Sequence, residues 1–314
     1  MSVPGLVRDV REGLAERPRR LFCRWFYDAA GSLLFEEICR LPEYYIPAAE
    51  REILTRHADE IVAAVVPGAA IVELGSGSSA KTTLLLQAAL RRVPHVRYVP
   101  IDISDAALAS ATQRLAAIPG LTVHGVCAEY EDGLAHLGTG ARLVLWLGSN
   151  IGNFARADAA LFLHRLGTRL TPSDRLLVGI DRRKRREAIE RAYDDPRGVT
   201  ARFNKNILLR LNRELGADFD PDAFRHQAIY DADAGRVSMY LVAQRAQRVR
   251  IPALPLDLDI AAGEAIHTED SYKYSDAEIR TLAAAAGLRI ERVFSDDAGR
   301  FSDVLFSVAG PRAA

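Results

Sequence analysis

The segment Glu73-Leu74-Gly75-Ser76-Gly77-Ser78-Ser79 sets two glycines in a short polar turn between an apolar run and a helical pattern. Glycine lets backbone approach a ligand closely, and the start of a helix offers unpaired N–H donors, so this turn suits a polar or anionic ligand. Asp102 follows Gly77 by twenty-five residues, at the end of the next apolar run. A carboxylate there can accept hydrogen bonds from both ribose hydroxyls of an adenosine-containing ligand. Read literally, Gly75-x-Gly77-x-x-Ala80 also satisfies a dinucleotide fingerprint, so the turn alone leaves nicotinamide and other adenosyl cofactors open, beside a plain structural turn.

A second polar, glycine-rich stretch, Leu147-Gly148-Ser149-Asn150-Ile151-Gly152-Asn153-Phe154, follows another apolar run. Open α/β sheets bind ligands at the carboxyl ends of their strands, where such a loop would lie. Cys23, Cys39 and Cys127 form no C-x-x-C pair, and His124 near Cys127 lacks a second ligand pair, so no metal site is expected. The thiols read as buried or incidental. The run Arg182-Arg183-Lys184-Arg185-Arg186 could meet a polyanion, but Glu187, Glu190, Asp194 and Asp195 lie close by. A solvated helix face is the simpler reading.

The elements that must hold these groups follow a regular order. Residues 48–66 place apolar side chains at helical spacing. Short apolar strands at 69–74, 96–101, 121–127, 141–147 and 174–180 then alternate with helices over 81–93, 105–117 and 157–166, which implies a parallel, doubly wound sheet. Beyond it, 183–230 reads as mostly helical, 236–251 as an antiparallel strand, and 275–287 as a helix before two closing strands. The expected organisation is a Rossmann-like core over 55–182 and 274–314, with 1–54 and 183–273 forming a second, discontinuous α+β domain that carries the substrate groups.

Composition narrows the function further. Forty-one basic residues balance forty-one acidic ones, so no net field draws the chain to nucleic acid or an anionic membrane. With 49% hydrophobic and 26% charged residues the chain is globular rather than disordered. Apolar stretches such as Ile61–Val66 are far too short to span a membrane, and the first twenty residues lack a signal core. A cytoplasmic protein with no nucleic-acid, membrane or obligate protein partner is expected.

Glu73 before the turn gives an E-x-G-x-G form that resembles the first motif of class I methyltransferases, which favours S-adenosyl-L-methionine over NAD. The whole chain from about residue 20 resembles a narrower family, the S-adenosylmethionine-dependent histidine Nα-methyltransferases of ergothioneine biosynthesis, with fungal relatives that methylate tryptophan-derived amines. Seven motifs in the family's order carry the resemblance: Tyr27-Asp28-Ala29-Ala30-Gly31-Ser32, Leu41-Pro42-Glu43-Tyr44-Tyr45, Glu73–Gly77, Gly148–Phe154, Ala192-Tyr193-Asp194-Asp195, Phe203-Asn204-Lys205-Asn206 and His267–Tyr274. The resemblance implies a class I methyltransferase fold and methylation of L-histidine, in three successive transfers giving hercynine, or of another amine such as tryptophan.

It also implies roles. Glu269 and Ser271 would hydrogen-bond the substrate imidazole, with Tyr44 near the ring. Asn153 and Tyr193 would hold the amino and carboxylate groups, with Gly148 lining that site. Tyr27 would lie close to the amine and Met239 would wall the side-chain pocket. Gly75, Lys81, Asp102 and Glu129 would bind the cofactor. Tyr27 and Asn153, the latter through a held water, are the candidates for accepting the amine's proton. A carboxylate beside a hydroxyl can engage both imidazole nitrogens, whereas an indole offers one. The plainer alternatives are a surface acid at 269, core filling at Met239, packing at Tyr44 and a turn former at Asn153. Residues 46–48, Ile-Pro-Ala, and the basic run depart from the family's pattern. A non-catalytic binder of the same cofactor and an NAD-dependent oxidoreductase are the rival classes.

Overall fold

The structure, a computed structural model, describes residues 3–308. Within them the chain divides into two compact units, one built from 3–45 and 184–271 and the other from 46–183 and 272–308.

The larger unit is a doubly wound α/β layer structure. Reading across its sheet, the strands run Leu288–Ser295, Phe301–Val308, Arg175–Asp181, Arg142–Trp146, Ala70–Leu74, Val96–Asp102 and Leu121–Val123. The five on the Leu121 side pair in parallel, while Phe301–Val308 joins Arg175–Asp181 and Leu288–Ser295 antiparallel. This is the Rossmann-like sheet expected, with its closing antiparallel pair. The runs Ala70–Leu74 and Arg142–Trp146 are buried at every position, as central parallel strands covered on both faces must be. Val72, Leu74, Val144, Trp146, Val178 and Phe306 form the middle of the core, with Phe162, Leu163 and Leu282 packed on from helices.

Local signals set the boundaries. The helix at 48–66 starts earlier, as Ile46–Ala63, with Pro47 in its first turn, where no intrahelical N–H is needed. The two compact units divide just before this helix, between residues 45 and 46. Ser275 and Glu278 close a full capping box on helix Asp276–Ala286, and Gly287 at φ +70° ends it. The strand read over 121–127 is broken into Leu121–Val123 and Val126–Cys127, both pairing with Val96–Asp102.

The smaller unit is α+β. Its three-stranded antiparallel sheet has Arg236–Ala243 in the middle, flanked by Phe224–Asp231 and Ala265–Tyr272. A two-stranded ribbon, Gln247–Ile251 with Leu256–Ile260, completes it. Two expectations change here. Residues 224–231 form a strand rather than helix, registered residue for residue from Phe224↔Ala243 to Asp231↔Arg236. The stretch 236–251 is two strands, interrupted at 244–246. Helices Arg186–Tyr193 and Val199–Leu215 match the helical part of the reading.

Only the end of the basic run lies on a solvated helix face, where Arg186 opens helix Arg186–Tyr193 and pairs with Glu190 one turn on, while Arg182, Arg183 and Lys184 turn to other partners. Arg182 pairs with Asp276, Arg183 grips Glu278 at 2.6 and 2.8 Å, and Lys184 donates to the Tyr45 hydroxyl at 2.6 Å while lying over its ring. These side chains bind the molecule itself. No helix among the described residues is long and apolar enough to cross a membrane.

Candidate active site

In the smaller unit the motifs turn out to interlock. Asp28 opens helix Ala29–Ile38 by accepting from Gly31 N at 2.7 Å, and it accepts again from Asn206 Nδ2 at 2.8 Å and from Arg213 at 2.7 Å. Burial pushes its carboxyl up, but these donors win and hold it below the ordinary range. Gly31 is obligatory, since a Cβ there would stand 1.7 Å from Phe26 O. The result is a fixed aromatic cluster: Tyr27 meets Phe35 and Phe203 edge-on at 5.5 and 5.6 Å, and Phe35 meets Tyr44 at 6.3 Å.

Tyr44 continues that cluster to Tyr193, ring to ring at 6.2 Å, and the Tyr193 hydroxyl is hydrogen-bonded to Ser271 Oγ at 2.8 Å. Burial raises the Tyr44 hydroxyl well above its usual value, and Tyr193, Cys39, Tyr27 and Glu269 add to the effect. Glu269, on strand Ala265–Tyr272, also helps burial push the Cys23 thiol up to about 12. Tyr27, Tyr44, Tyr193, Glu269 and Ser271, drawn from four separate sequence motifs, are thus brought together. Met239 is buried in the middle strand, where its carbonyl accepts from Thr268 Oγ1 at 3.0 Å. That placement fits core filling as readily as pocket lining.

In the larger unit the first glycine-rich turn leaves strand Ala70–Leu74 with Gly75 at φ +68° and Gly77 at φ +49°. Asp102, ending the adjacent strand, accepts from Gly77 N at 2.8 Å and from Ser104 N at 2.9 Å. Burial nevertheless raises its carboxyl above the ordinary value. Glu129 is exposed at the start of the short helix Tyr130–Gly133, one residue after Ala128, whose N–H reaches Asp102 O at 3.0 Å. Glu73 is buried under the turn and accepts from Thr82 Oγ1 at 2.7 and 2.8 Å and from Tyr98. Burial pushes Glu73 up to about 7 against those two donors.

The second loop leaves strand Arg142–Trp146 through Gly148 at φ +76° and Ser149 at φ +62°, and Asn153 closes its 3-10 turn Asn150–Asn153. Lys81 approaches it, with Nζ 3.5 Å from where a Cβ on Gly148 would stand, and is ion-paired to Glu50. Gly75, Lys81, Asp102, Gly148 and Asn153 therefore share the carboxyl edge of one sheet, as open α/β folds require of a ligand site.

The model of a family described as histidine-specific, SAM-dependent methyltransferase matches residues 6–308. The chain belongs to that family. It is 46% identical over 306 residues to a histidine N-alpha-methyltransferase of Mycolicibacterium smegmatis, covering 96% of this chain and 94% of that one. It is 45% identical over 298 residues to the protein of the same name from Mycobacterium tuberculosis, covering 94% and 92%. Ergothioneine biosynthesis protein 1 of Schizosaccharomyces pombe is 31% identical over 299 residues, 91% of this chain but 38% of that longer protein. The nicotinamide alternative left open by the turn falls with this membership.

The residues of this member of the family fit S-adenosylmethionine. A Cβ on Gly77 would meet nothing within 4 Å, so the turn faces open space, and the buried Ser76 Oγ beside it has no partner among the described residues. Gly75 is the opposite case, a point of close approach where a Cβ would stand 2.7 Å from Asn150 Nδ2 and 2.8 Å from Tyr130 OH. Tyr130, Asn150 and Glu50 were not singled out by sequence reasoning. The first adjoins Glu129 and the second lies inside a quoted motif, whereas Glu50 looks like any acid of an amphipathic helix.

Proposed function

We propose that the protein methylates the α-amine of L-histidine with S-adenosylmethionine, three times in succession to give hercynine for ergothioneine biosynthesis, in the cytoplasm. The observation that carries this reading is the joining of Tyr44, Tyr193, Ser271 and Glu269 in one unit of a chain of this family. An aromatic wall with a carboxylate and a hydroxyl is complementary to an imidazole, which presents two nitrogens and a flat face.

When bound, S-adenosylmethionine supplies an electrophilic methyl group on a sulfonium. Asp102 would accept from its ribose hydroxyls, Gly75 and Gly77 would let backbone approach it, and Lys81 and Glu129 would complete its contacts. Glu269 and Ser271 orient the imidazole, Met239 walls it, and Tyr193 with Asn153 holds the amino acid's polar end, against the backbone of Gly148. The amine must be neutral to attack, and Tyr27 or a water held by Asn153 accepts its proton. Each methyl adds bulk and keeps the cationic charge, which the faces of Tyr27 and Tyr44 stabilise.

Mass spectrometry of the protein incubated with S-adenosylmethionine and L-histidine, with L-tryptophan in parallel, tests the reading. Histidine gaining three methyl groups is expected. Methylated tryptophan with unmodified histidine would discard the substrate and keep the chemistry. Asn153→Ala should lose nearly all turnover while S-adenosylmethionine affinity stays unchanged, and a wild-type rate would remove Asn153 from the site.

A further inference from the structure

Glu50 is completely buried on helix Ile46–Ala63, and both of its oxygens are engaged. Oε1 accepts from Gly148 N at 2.7 Å, and Oε2 pairs with Lys81. Burying an acid costs free energy that an apolar side chain would not, so a carboxylate kept here needs a role beyond packing. The gap it occupies is made by a missing side chain. A Cβ on Gly179 would stand 2.3 Å from Glu50 Oε1 and 3.1 Å from Gly148 N. Asp303 lies directly across from Gly179 on the neighbouring antiparallel strand, so it emerges on the same face beside Glu50.

We propose that Glu50 is a positioning residue of the methyl-transfer site, clamping the Gly148 N–H and the Lys81 ammonium in the gap left by Gly179, with Asp303 as its buried companion. This rests on the reading that Lys81 and Gly148 line the site. Gly148 and Ser149 are consecutive residues in left-handed backbone, a conformation that persists only when surroundings hold it. Glu50 holds one end, and Ser149 Oγ, accepting from Asp181 N at 3.1 Å, holds the other. The loop so fixed leads to Asn153. The same carboxylate fixes the ammonium that follows the first glycine-rich turn, so one side chain couples the two ligand-facing loops.

Asp303 bears on the charge balance of the cluster. It is fully buried, and among the described residues neither of its oxygens receives a hydrogen bond. Burial and then the charge of Glu50 push its carboxyl well above the usual range, against the smaller opposing effect of Lys81. That shift favours its neutral form, in which the Glu50 carboxylate alone would face the Lys81 ammonium.

Calorimetric binding of S-adenosylhomocysteine, with histidine kinetics alongside, tests the clamp in full-length protein. Glu50→Gln preserves shape but removes the charge that holds Lys81. Its S-adenosylhomocysteine affinity and kcat should each fall about tenfold, the scale of one charge-assisted hydrogen bond, with KM for histidine little changed. Asp303→Asn, which mimics the protonated acid, should stay within about twofold of wild type. Gly179→Ala keeps every charge but sets a methyl against Glu50 Oε1, and should reproduce the Glu50→Gln losses. A folded Glu50→Gln with wild-type affinity and kcat overturns the proposal even if its Tm drops, since a purely structural acid would move Tm alone. Asp303→Asn as damaging as Glu50→Gln also overturns it. Wild-type protein that binds no S-adenosylhomocysteine fails the methyltransferase reading itself, and the clamp with it.

Discussion

The two units hold their functional groups by opposite means. In the larger, shape is made by backbone: Gly75, Gly77, Gly148 and Ser149 all lie at positive φ, and two acids, the half-buried Asp102 and the buried Glu50, tie down N–H groups among them. In the smaller, shape is made by side chains, a chain of rings from Phe203 through Tyr27, Phe35 and Tyr44 to Tyr193. Where that backbone closes on its neighbours, as at Gly75, it has no slack, because an added methyl meets other atoms, whereas Gly77 faces open space. A wall of side chains loses one contact at a time. Substitutions at such close approaches should therefore act as near-complete failures, and those in the aromatic wall as graded losses.

The largest effect expected concerns the buried acids. Glu73 reaches about 7 in the folded protein, from an ordinary value of 4.5, because burial favours its neutral form. Its stabilising contribution is complete below pH 4.5 and is lost as pH rises through 7, a change on the order of 3 kcal/mol. Glu73→Gln should therefore be more stable relative to wild type at pH 8 than at pH 4.5, measured by urea unfolding at both. His226 in the smaller unit works with the opposite sign. Burial lowers it, and its neutral ring bridges Tyr193 O at 2.8 Å and Asn204 Nδ2 at 2.9 Å. Its contribution is whole above its ordinary value of 6.5 and shrinks as pH falls. Equal behaviour of Glu73→Gln and wild type across this range would mean that the acid is not held neutral.

Next in size is Gly75→Ala. The methyl would sit within 2.8 Å of both Asn150 and Tyr130, in a backbone conformation unfavourable to any L side chain. Strain of one to three kcal/mol plus displaced neighbours should weaken S-adenosylmethionine binding about a hundredfold. Affinity within threefold of wild type would show that this cradle does have slack, and the contrast between the units would collapse.

Which parts of this were legible in the sequence follows from the same contrast. The parallel strands announce themselves because a strand buried on both faces must be apolar throughout, as at Ala70–Leu74 and Arg142–Trp146. Phe224–Asp231 did not, because its sequence, Phe-Arg-His-Gln-Ala-Ile-Tyr-Asp, is half polar without a regular alternation, and only its pairing with Arg236–Ala243 makes it a strand. The glycine turns were readable for what glycine permits. Glu50 was not, since Glu-Arg-Glu within a helix reads as a solvated face, and only the absence of a side chain at 179 makes room to bury it. Asp303 did leave a signal, as the one charged residue in the strand run Phe301–Val308.

Within the side-chain wall, Glu269→Ala should raise KM for histidine roughly tenfold or more, leaving S-adenosylmethionine affinity unchanged. A charged contact is lost, but the rings that shape the pocket remain. Unchanged kinetics would remove Glu269 from the substrate site.

Tyr193→Phe should give the smallest change and the finest test. The ring stays in its edge-on contact with Tyr44, and only the hydroxyl facing Ser271 Oγ disappears. A neutral hydrogen bond contributes about 1 kcal/mol, so kcat/KM for histidine should fall about fivefold. If Tyr193 served only to position Ser271, Ser271→Ala would cost the same and the double variant no more than either single one. If each also touches the substrate, the double variant should lose more than either alone. A hundredfold loss from Tyr193→Phe would place this hydroxyl with the strict elements of the larger unit, and the division between cradle and wall would then run through the smaller unit itself.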